Sequence, residues 1–117
     1  MNDGKLSLLL RRFSAAAQAH QSALEDMDEG RANAHARVIS GLYAAIIREG
    51  DGGRETLLAL LDSQSEVVAG MAAVFSLSYN PSRSLAVLRM LAGREGLLGF
   101  RASVALERWE NGEWVEP

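Results

Sequence analysis

Cysteine is absent from the 117-residue chain, and proline occurs only twice. Without cysteine the protein has no disulfide, no thiolate zinc site and no cysteine nucleophile. Near the N-terminus, the run Leu8-Leu9-Leu10 is far shorter than the roughly 20 residues that cross a bilayer. Arg11 and Arg12 follow it directly, and the run is too short for the core of a signal peptide. We therefore expect a soluble protein of the cytoplasm.

Charge is also low, and the apolar share is high. The net charge is −3, and 48% of the residues are hydrophobic. Disordered chains have fewer apolar residues and more charge, so this composition predicts a folded protein. A length of 117 residues fits one domain. The mild acidity argues against nucleic acid or an anionic membrane as the main partner.

Propensity and hydrophobic spacing predict helix along almost the whole chain. Ala, Leu, Arg and Glu are frequent, β-branched residues are few, and apolar residues recur with helical spacing. Expected helix starts lie at the polar caps Asn2 or Asp3 and Ser65, and at Pro81, which suits a first helical turn; Asn80-Pro81 is also expected to end the fourth helix. Expected helix ends lie at glycines, namely Gly30, the segment 50–53 and Gly112.

The predicted fold class is all-α, with about six helices joined by short connectors. Short connectors imply antiparallel neighbours, so we expect three stacked antiparallel hairpins in an ARM/HEAT-like α-α superhelix. A single helical domain spans residues 1–117 in this interpretation. Its hairpins cover about 3–49, 54–79 and 81–111, and a short tail covers 112–117.

The segment 55–77 is the most informative part of the sequence. Leucines precede an acidic turn at Asp62, and alanines follow Val67. Such a pair is typical of a HEAT-like hairpin, because small side chains let the two helices approach closely. A weaker copy begins at Pro81. Repeats of this kind need about three units for stability.

The same region carries a resemblance to a known family. The matching residues are 57–62, Glu66-Val67, Ala72-Ala73, Asn80-Pro81, Leu88, Leu91-Ala92, 96–100, Ala102, Leu106, Trp109, Gly112 and Pro117, with looser similarity at 13–16 and near Asn33. From Arg54 to Pro117 the chain resembles an uncharacterised bacterial family of small ARM/HEAT-like α-α superhelix proteins, a domain of unknown function. The resemblance implies a fold and brings no activity with it.

One position departs from the HEAT-like pattern. Val68 stands where a HEAT-like turn usually has an arginine that pairs with the turn aspartate. A partner for Asp62 must therefore come from elsewhere, with Arg54 and Arg83 as the alternatives.

The two histidines, His20 and His35, provide the alternative function. Both fall on the apolar sides of the first two helices, at comparable distances from the turn near Gly30. There they would form a small-ligand or metal site between these helices. Helical metal sites, however, use Glu-x-x-His pairs, and neither histidine has a carboxylate three or four residues before it. We therefore expect hydrogen-bonded, half-buried histidines, with no metal and no cofactor.

Motifs for catalysis are missing. The chain has no Gly-x-Ser-x-Gly nucleophile signature. The glycine-rich segment 50–53 follows a helix and lacks the Lys-Ser/Thr pair of a phosphate-binding loop, so we interpret it as a turn. The sequence therefore predicts a protein that is not an enzyme.

The remaining candidates are arginines and aromatic residues on a surface. The arginines are spread along the chain without a basic run, which does not favour nucleic-acid binding. The candidate interaction surface consists of Tyr43, Arg83, Arg101, Arg108 and Trp114. Trp109, in phase with the apolar stripe of the last helix, is expected in the core, whereas Trp114 either folds back as a lid or is exposed.

These observations favour a non-catalytic protein-interaction module. A narrower version is a small neutralising protein, immunity- or antitoxin-like, or a regulatory binding protein, with an unidentified protein partner and neither nucleic acid nor membrane as partner. A stack of about three hairpins leaves apolar flanks at its ends. We therefore expect a homodimer through the first helix, where Leu6, Leu8, Leu9 and Leu10 crowd more than one face.

Overall fold

Helices account for most of the chain in a computed structural model, which describes residues 3–117. The α-helices are α1 (Asp3–Glu25), α2 (Glu29–Ile47), α3 (Asp51–Ala59), α4 (Glu66–Ser76), α5 (Pro81–Ala92) and α6 (Gly96–Glu110), and a short 3-10 helix, Leu60–Asp62, lies between α3 and α4. Residues 3–117 contain no strand. The all-α class and the six helices are confirmed. Asn2, one of the two expected caps of α1, lies outside the described residues.

The described chain divides after Ala59 into two compact units. The first contains α1, α2 and α3, and the second contains the 3-10 helix, α4, α5 and α6. The boundary falls inside the hairpin predicted at 54–79. The single domain over 1–117 stays a prediction.

The first unit is held together by apolar side chains from all three of its helices. Phe13 on α1, Ile39 and Ile46 on α2, and Leu57 on α3 are almost completely buried. In this unit α1 packs against α2, and both pack against α3. Burial of each such side chain contributes about 1.5–3 kcal/mol, so the apolar stripe read from the sequence is what joins these helices.

A tight turn of three residues joins α1 to α2. The amide of Met27 donates to the carbonyl of Leu24 at 3.0 Å, and the amide of Asp28 donates to the carbonyl of Ala23 at 2.9 Å. These two bonds form a Schellman cap, which needs a left-handed residue just after the helix. Met27 takes that conformation, with φ of 57°.

Gly30 was therefore the wrong choice as the end of the first helix. It lies in the first turn of α2, three residues after the left-handed position. The start of α2 is set by Asp28, whose side chain accepts a hydrogen bond of 3.0 Å from the amide of Arg31. The acidic cluster beside Gly30 thus serves the N-terminus of α2, where negative charge is favourable.

Met27→Gly is expected to stabilise the protein by about 0.5–1 kcal/mol. The left-handed conformation costs a non-glycine residue about 1–2 kcal/mol, and the added freedom of glycine in the unfolded chain offsets about 0.4–1 kcal/mol. Met27 is 91% exposed, so little packing is lost. Urea unfolding measures the change. Met90→Gly, in right-handed helix α5, is the matched control and is expected to lose about 1 kcal/mol; a loss in both variants would contradict the argument.

The glycine-rich segment 50–53 is only in part the predicted turn. Gly50 has a φ of 78° and ends the turn after α2, but α3 already begins at Asp51. Gly52 and Gly53 are therefore helical, and the predicted start at Arg54 was wrong by three residues. One left-handed residue was sufficient to end α2, so the other glycines were free to continue as helix.

The helices of the second unit start at the residues predicted from the sequence. The side chain of Ser65 accepts a hydrogen bond from the amide of Val68 at 3.3 Å and caps α4. The side chain of Asn80 accepts from the amide of Arg83 at 3.3 Å, and Pro81 is the first residue of α5. The cap at Ser65 and the start of α5 at Pro81 are confirmed, because both signals are local in the sequence, whereas the cap at Asn80 was not predicted.

Small residues let α4, α5 and α6 pack closely in the second unit. Ala69, Ala72 and Ala73 of α4 are buried. A Cβ atom built on Gly70 would lie 3.0 Å from the side chain of Leu91, and one built on Gly99 would lie 1.9 Å from the backbone oxygen of Arg94. Gly70 and Gly99 therefore have the same role as the alanines, which is to allow close approach of paired helices.

An ion pair joins α4 to the turn between α5 and α6. Arg94 donates from Nε and Nη2 to both carboxylate oxygens of Glu66, with the shortest distance 2.7 Å. These hydrogen bonds, and the negative charge of Glu66, raise the pKa of Arg94. The pair is solvent-exposed, and we assign it a role in orienting the turn rather than in stability.

The length and hydropathy of the helices bear on whether any of them could cross a membrane. Between residues 3 and 117, none combines the length and the apolar character that spanning a bilayer requires.

Candidate interaction surface

One side of α6 exposes an aromatic residue, and the adjacent side carries two arginines. Phe100 is 65% exposed, the largest exposure of any phenylalanine in the chain. Because an α-helix turns by about 100° per residue, Val104 and the exposed Glu107 lie within about 40° of Phe100 around the helix, and Arg101 and Arg108 lie about 80–100° away, on the adjacent side. We call Phe100, Arg101, Val104 and Arg108 the α6 surface. Arg108 is exposed, whereas Arg101 and Val104 are half-buried.

The opposite side of α6 explains this orientation. Gly99, Ala102 and Ala105 are buried, and they are the residues through which α6 meets its neighbours in the second unit. Small side chains on that side bring α6 close, so the bulkier Phe100 is left on the outside. Deletion of this ring should therefore change a binding surface without changing the core.

The two arginines differ in their surroundings. Partial burial lowers the pKa of Arg101, because desolvation disfavours its charged form. Arginine nevertheless remains charged at neutral pH. Arg108 forms no ion pair within residues 3–117. The α6 surface thus carries two arginines to one side of Phe100, and the exposed carboxylate of Glu107 lies close to Phe100 around the helix.

Arg83 lies elsewhere in the second unit, in the first turn of α5. Its Nη2 atom is 3.4 Å from a carboxylate oxygen of Asp62. Of the two partners proposed for Asp62, Arg83 is therefore the one confirmed. Because its guanidinium already faces this carboxylate, Arg83 is a weaker candidate for recognition of a partner than Arg108.

Trp114 folds back toward α6. The amide of Glu113 donates to the carbonyl of Arg108 at 2.8 Å, and the amide of Gly112 donates to the carbonyl of Trp109 at 3.2 Å. Gly112 has a φ of 73°, so these bonds form a Schellman cap that reverses the chain. Trp114 is half-buried as a result. Of the two alternatives, lid or exposed residue, the structure favours the lid.

The prediction that Trp109 lies in the core was wrong. The residue is half-buried, not buried, because α6 ends one residue later and its ring lines a cleft with Trp114. Helical phase placed it correctly on the inner side of α6. The core simply does not reach the last turn of the helix.

Tyr43, the last of the predicted surface residues, belongs to the first unit. It lies on α2 and is half-buried. The structure thus brings Arg101 and Arg108 together on one helix and places Arg83, Trp114 and Tyr43 on other elements.

Phe100 was missed by the sequence interpretation, although a signal was present. It lies out of phase with Leu98, Ala102 and Ala105, the apolar stripe predicted for the last helix. An aromatic residue outside the buried stripe of a helix is a candidate for recognition.

The histidine site stays a prediction. His20 on α1 and His35 on α2 are both half-buried. Among the residues that the structure describes, no group of three or more His, Cys, Asp or Glu side chains is arranged to hold a metal ion.

Comparison with known proteins identifies a fold and no family. No protein-family model matches the chain, and no curated protein sequence matches it. Its structure is similar to the crystal structure of the protein RPA1889 from Rhodopseudomonas palustris CGA009, with a TM-score of 0.83 and 18% sequence identity. The likeness covers 96% of this chain and 93% of that one. At this identity the comparison shows that the two chains share an all-α fold.

Proposed function

We propose that the protein is a cytoplasmic, non-catalytic protein-interaction module that binds an acidic protein through the α6 surface. The observation that carries the proposal is Phe100, 65% exposed on a helix whose adjacent side carries Arg101 and Arg108. The narrower version is a small neutralising protein, immunity- or antitoxin-like, or a regulatory binding protein.

The composition of the α6 surface is that of an interface core. Aromatic residues and arginine are enriched at protein interfaces relative to the remaining surface. Phe100 would fill an apolar pocket of the partner, and Arg101 and Arg108 would face its carboxylates. Complementary charge of this kind selects the partner and speeds association.

The proposal includes the ARM/HEAT-like repeat architecture and the resemblance to the bacterial family described above. Support comes from the buried alanines of α4, which give the close helix pairing that such repeats use. In repeat proteins the concave surface formed by stacked helices serves recognition.

Self-association through α1 is a further part of the proposal. Leu8 is 37% exposed, and Leu6 and Leu10 are half-buried, whereas Leu9 is in the core. Contact with the α1 of a second copy would cover Leu8.

Affinity capture followed by quantitative binding tests the function. We expect the wild-type protein to retain one acidic protein in stoichiometric amount, and Phe100→Ala and Arg108→Ala to weaken binding of the isolated partner by about 30-fold each. Met90→Ala is the matched control, because Met90 is a 48% exposed apolar residue on α5, outside the α6 surface. It should bind like the wild type.

Two results would contradict the proposal. One is the absence of any stoichiometric partner, and the other is a partner that binds both α6 variants as tightly as the wild type. Sedimentation velocity on the protein alone, run before the partner is added, tests the dimer; a strict monomer at all concentrations would remove that part.

A further inference from the structure

A cleft of about 360 Å³ lies at the C-terminal end of the second unit. Both tryptophans of the chain line it, together with Ser78, Gly112 and Glu116. The cleft is shallow and open to solvent on one side. The cleft brings together the two tryptophans of a chain in which only 6% of the residues are aromatic.

Two contacts fix the C-terminal tail beside the cleft. At one end, the Schellman cap around Gly112 turns the chain back after α6. At the other end, the hydroxyl of Ser78, just after α4, donates a hydrogen bond to a carboxylate oxygen of Glu116. Trp109 and Trp114 lie close to these two contacts, and both line the cleft.

The chemistry of the lining is negative and apolar. The faces of indole rings carry negative potential and attract cations, and tryptophan does so most strongly among the aromatic residues. Glu116 adds a carboxylate, whereas no lysine or arginine lines the cleft. The residues that line the cleft therefore carry no positive charge of their own. A cation that binds there has to come from outside the protein.

We propose that this cleft binds a small organic cation of the methylated-ammonium class. Methyl groups on nitrogen contact the indole rings as apolar groups while their positive charge interacts with the ring faces. Glu116 adds charge attraction at the edge. A neutral molecule of the same shape gains only the apolar contact, so charge is the property that separates the ligand from its isosteres.

Tryptophan fluorescence reports on this site directly, because the chain has no other tryptophan than these two. Choline and tetramethylammonium are titrated at constant ionic strength, with 3,3-dimethylbutan-1-ol as the neutral isostere of choline. We expect a saturable change with both cations and binding at least about tenfold weaker for the neutral alcohol.

Variants distinguish this cleft from other acidic places. Glu116→Gln and Trp114→Leu are each expected to weaken choline binding at least about fivefold, with Trp109 as the remaining reporter in the second. Glu113→Gln is the matched control, because Glu113 lies in the same tail but does not line the cleft. Circular dichroism checks that each variant is folded.

Three results would overturn the proposal. They are no saturable response to either cation at millimolar concentration, an equal response to the neutral alcohol, and unchanged binding in both Glu116→Gln and Trp114→Leu. The first two need only the wild-type protein, so the test does not depend on how the variants fold.

Discussion

Gly53→Ala is expected to destabilise the first unit by about 3 kcal/mol or more, the upper part of the range for overpacking. A Cβ atom at this position would lie 1.9 Å from the backbone oxygen of Ile46 and 3.0 Å from its carbonyl carbon. Backbone atoms cannot swing aside as the end of a side chain does. The first turn of α3 would therefore have to move away from the end of α2.

Gly52→Ala is the matched control for this prediction. Gly52 precedes Gly53 on the same helix, but nothing lies within 4 Å of its Cβ position. Since alanine is the better helix former, this variant is expected to be neutral or more stable by up to about 1 kcal/mol. The measurement is the urea midpoint of both variants. Equal midpoints would show that α3 does not approach α2 as described.

Phe13→Ala is expected to cost about 3–5 kcal/mol of unfolding free energy. Phe13 has no exposed surface, and α1 meets both α2 and α3 in the first unit. Removal of its ring forfeits the apolar burial and leaves a cavity that rigid helices fill only in part. Because the whole protein is stabilised by roughly 5–15 kcal/mol, this is a large share.

Phe100→Ala removes the same ring from a position that is 65% exposed. We expect a change within about 0.5 kcal/mol, as for most surface substitutions. Chemical denaturation of the two variants side by side gives the comparison. A loss at Phe100 as large as that at Phe13 would mean that α6 buries this side, and it would remove the basis of the proposed function. A stable Phe100→Ala protein that has lost its partner would separate binding from folding.

The α1–α2 turn shows which helix boundaries were open to prediction. Ser65 and Pro81 act through their immediate neighbours, and each starts a helix as expected. Met27 does not have the residue type that a left-handed position favours, so no local signal identified it. Its conformation follows from the end of α1 before it and the Asp28 cap of α2 after it. Together they leave only three residues to reverse the chain.

The candidate surfaces were predictable to different degrees. Helical phase alone was enough to place Arg101 and Arg108 on one side of α6, and it would have placed Phe100 beside them. The cleft could not be derived in this way. Glu116 and Ser78 are separated by 38 positions and meet only because the tail folds back past α6.

Features that depend on neighbours along the chain could be predicted from the sequence. Helical class, the starts of α4 and α5 at Ser65 and Pro81, and the stripe that buries Phe13, Ile39 and Leu57 follow from propensity, local backbone preferences and spacing. What depends on atoms far apart along the chain needed tertiary structure. The division after Ala59, the partner of Asp62 and the cleft beside Trp114 arise from packing, where distance in space no longer follows distance in sequence.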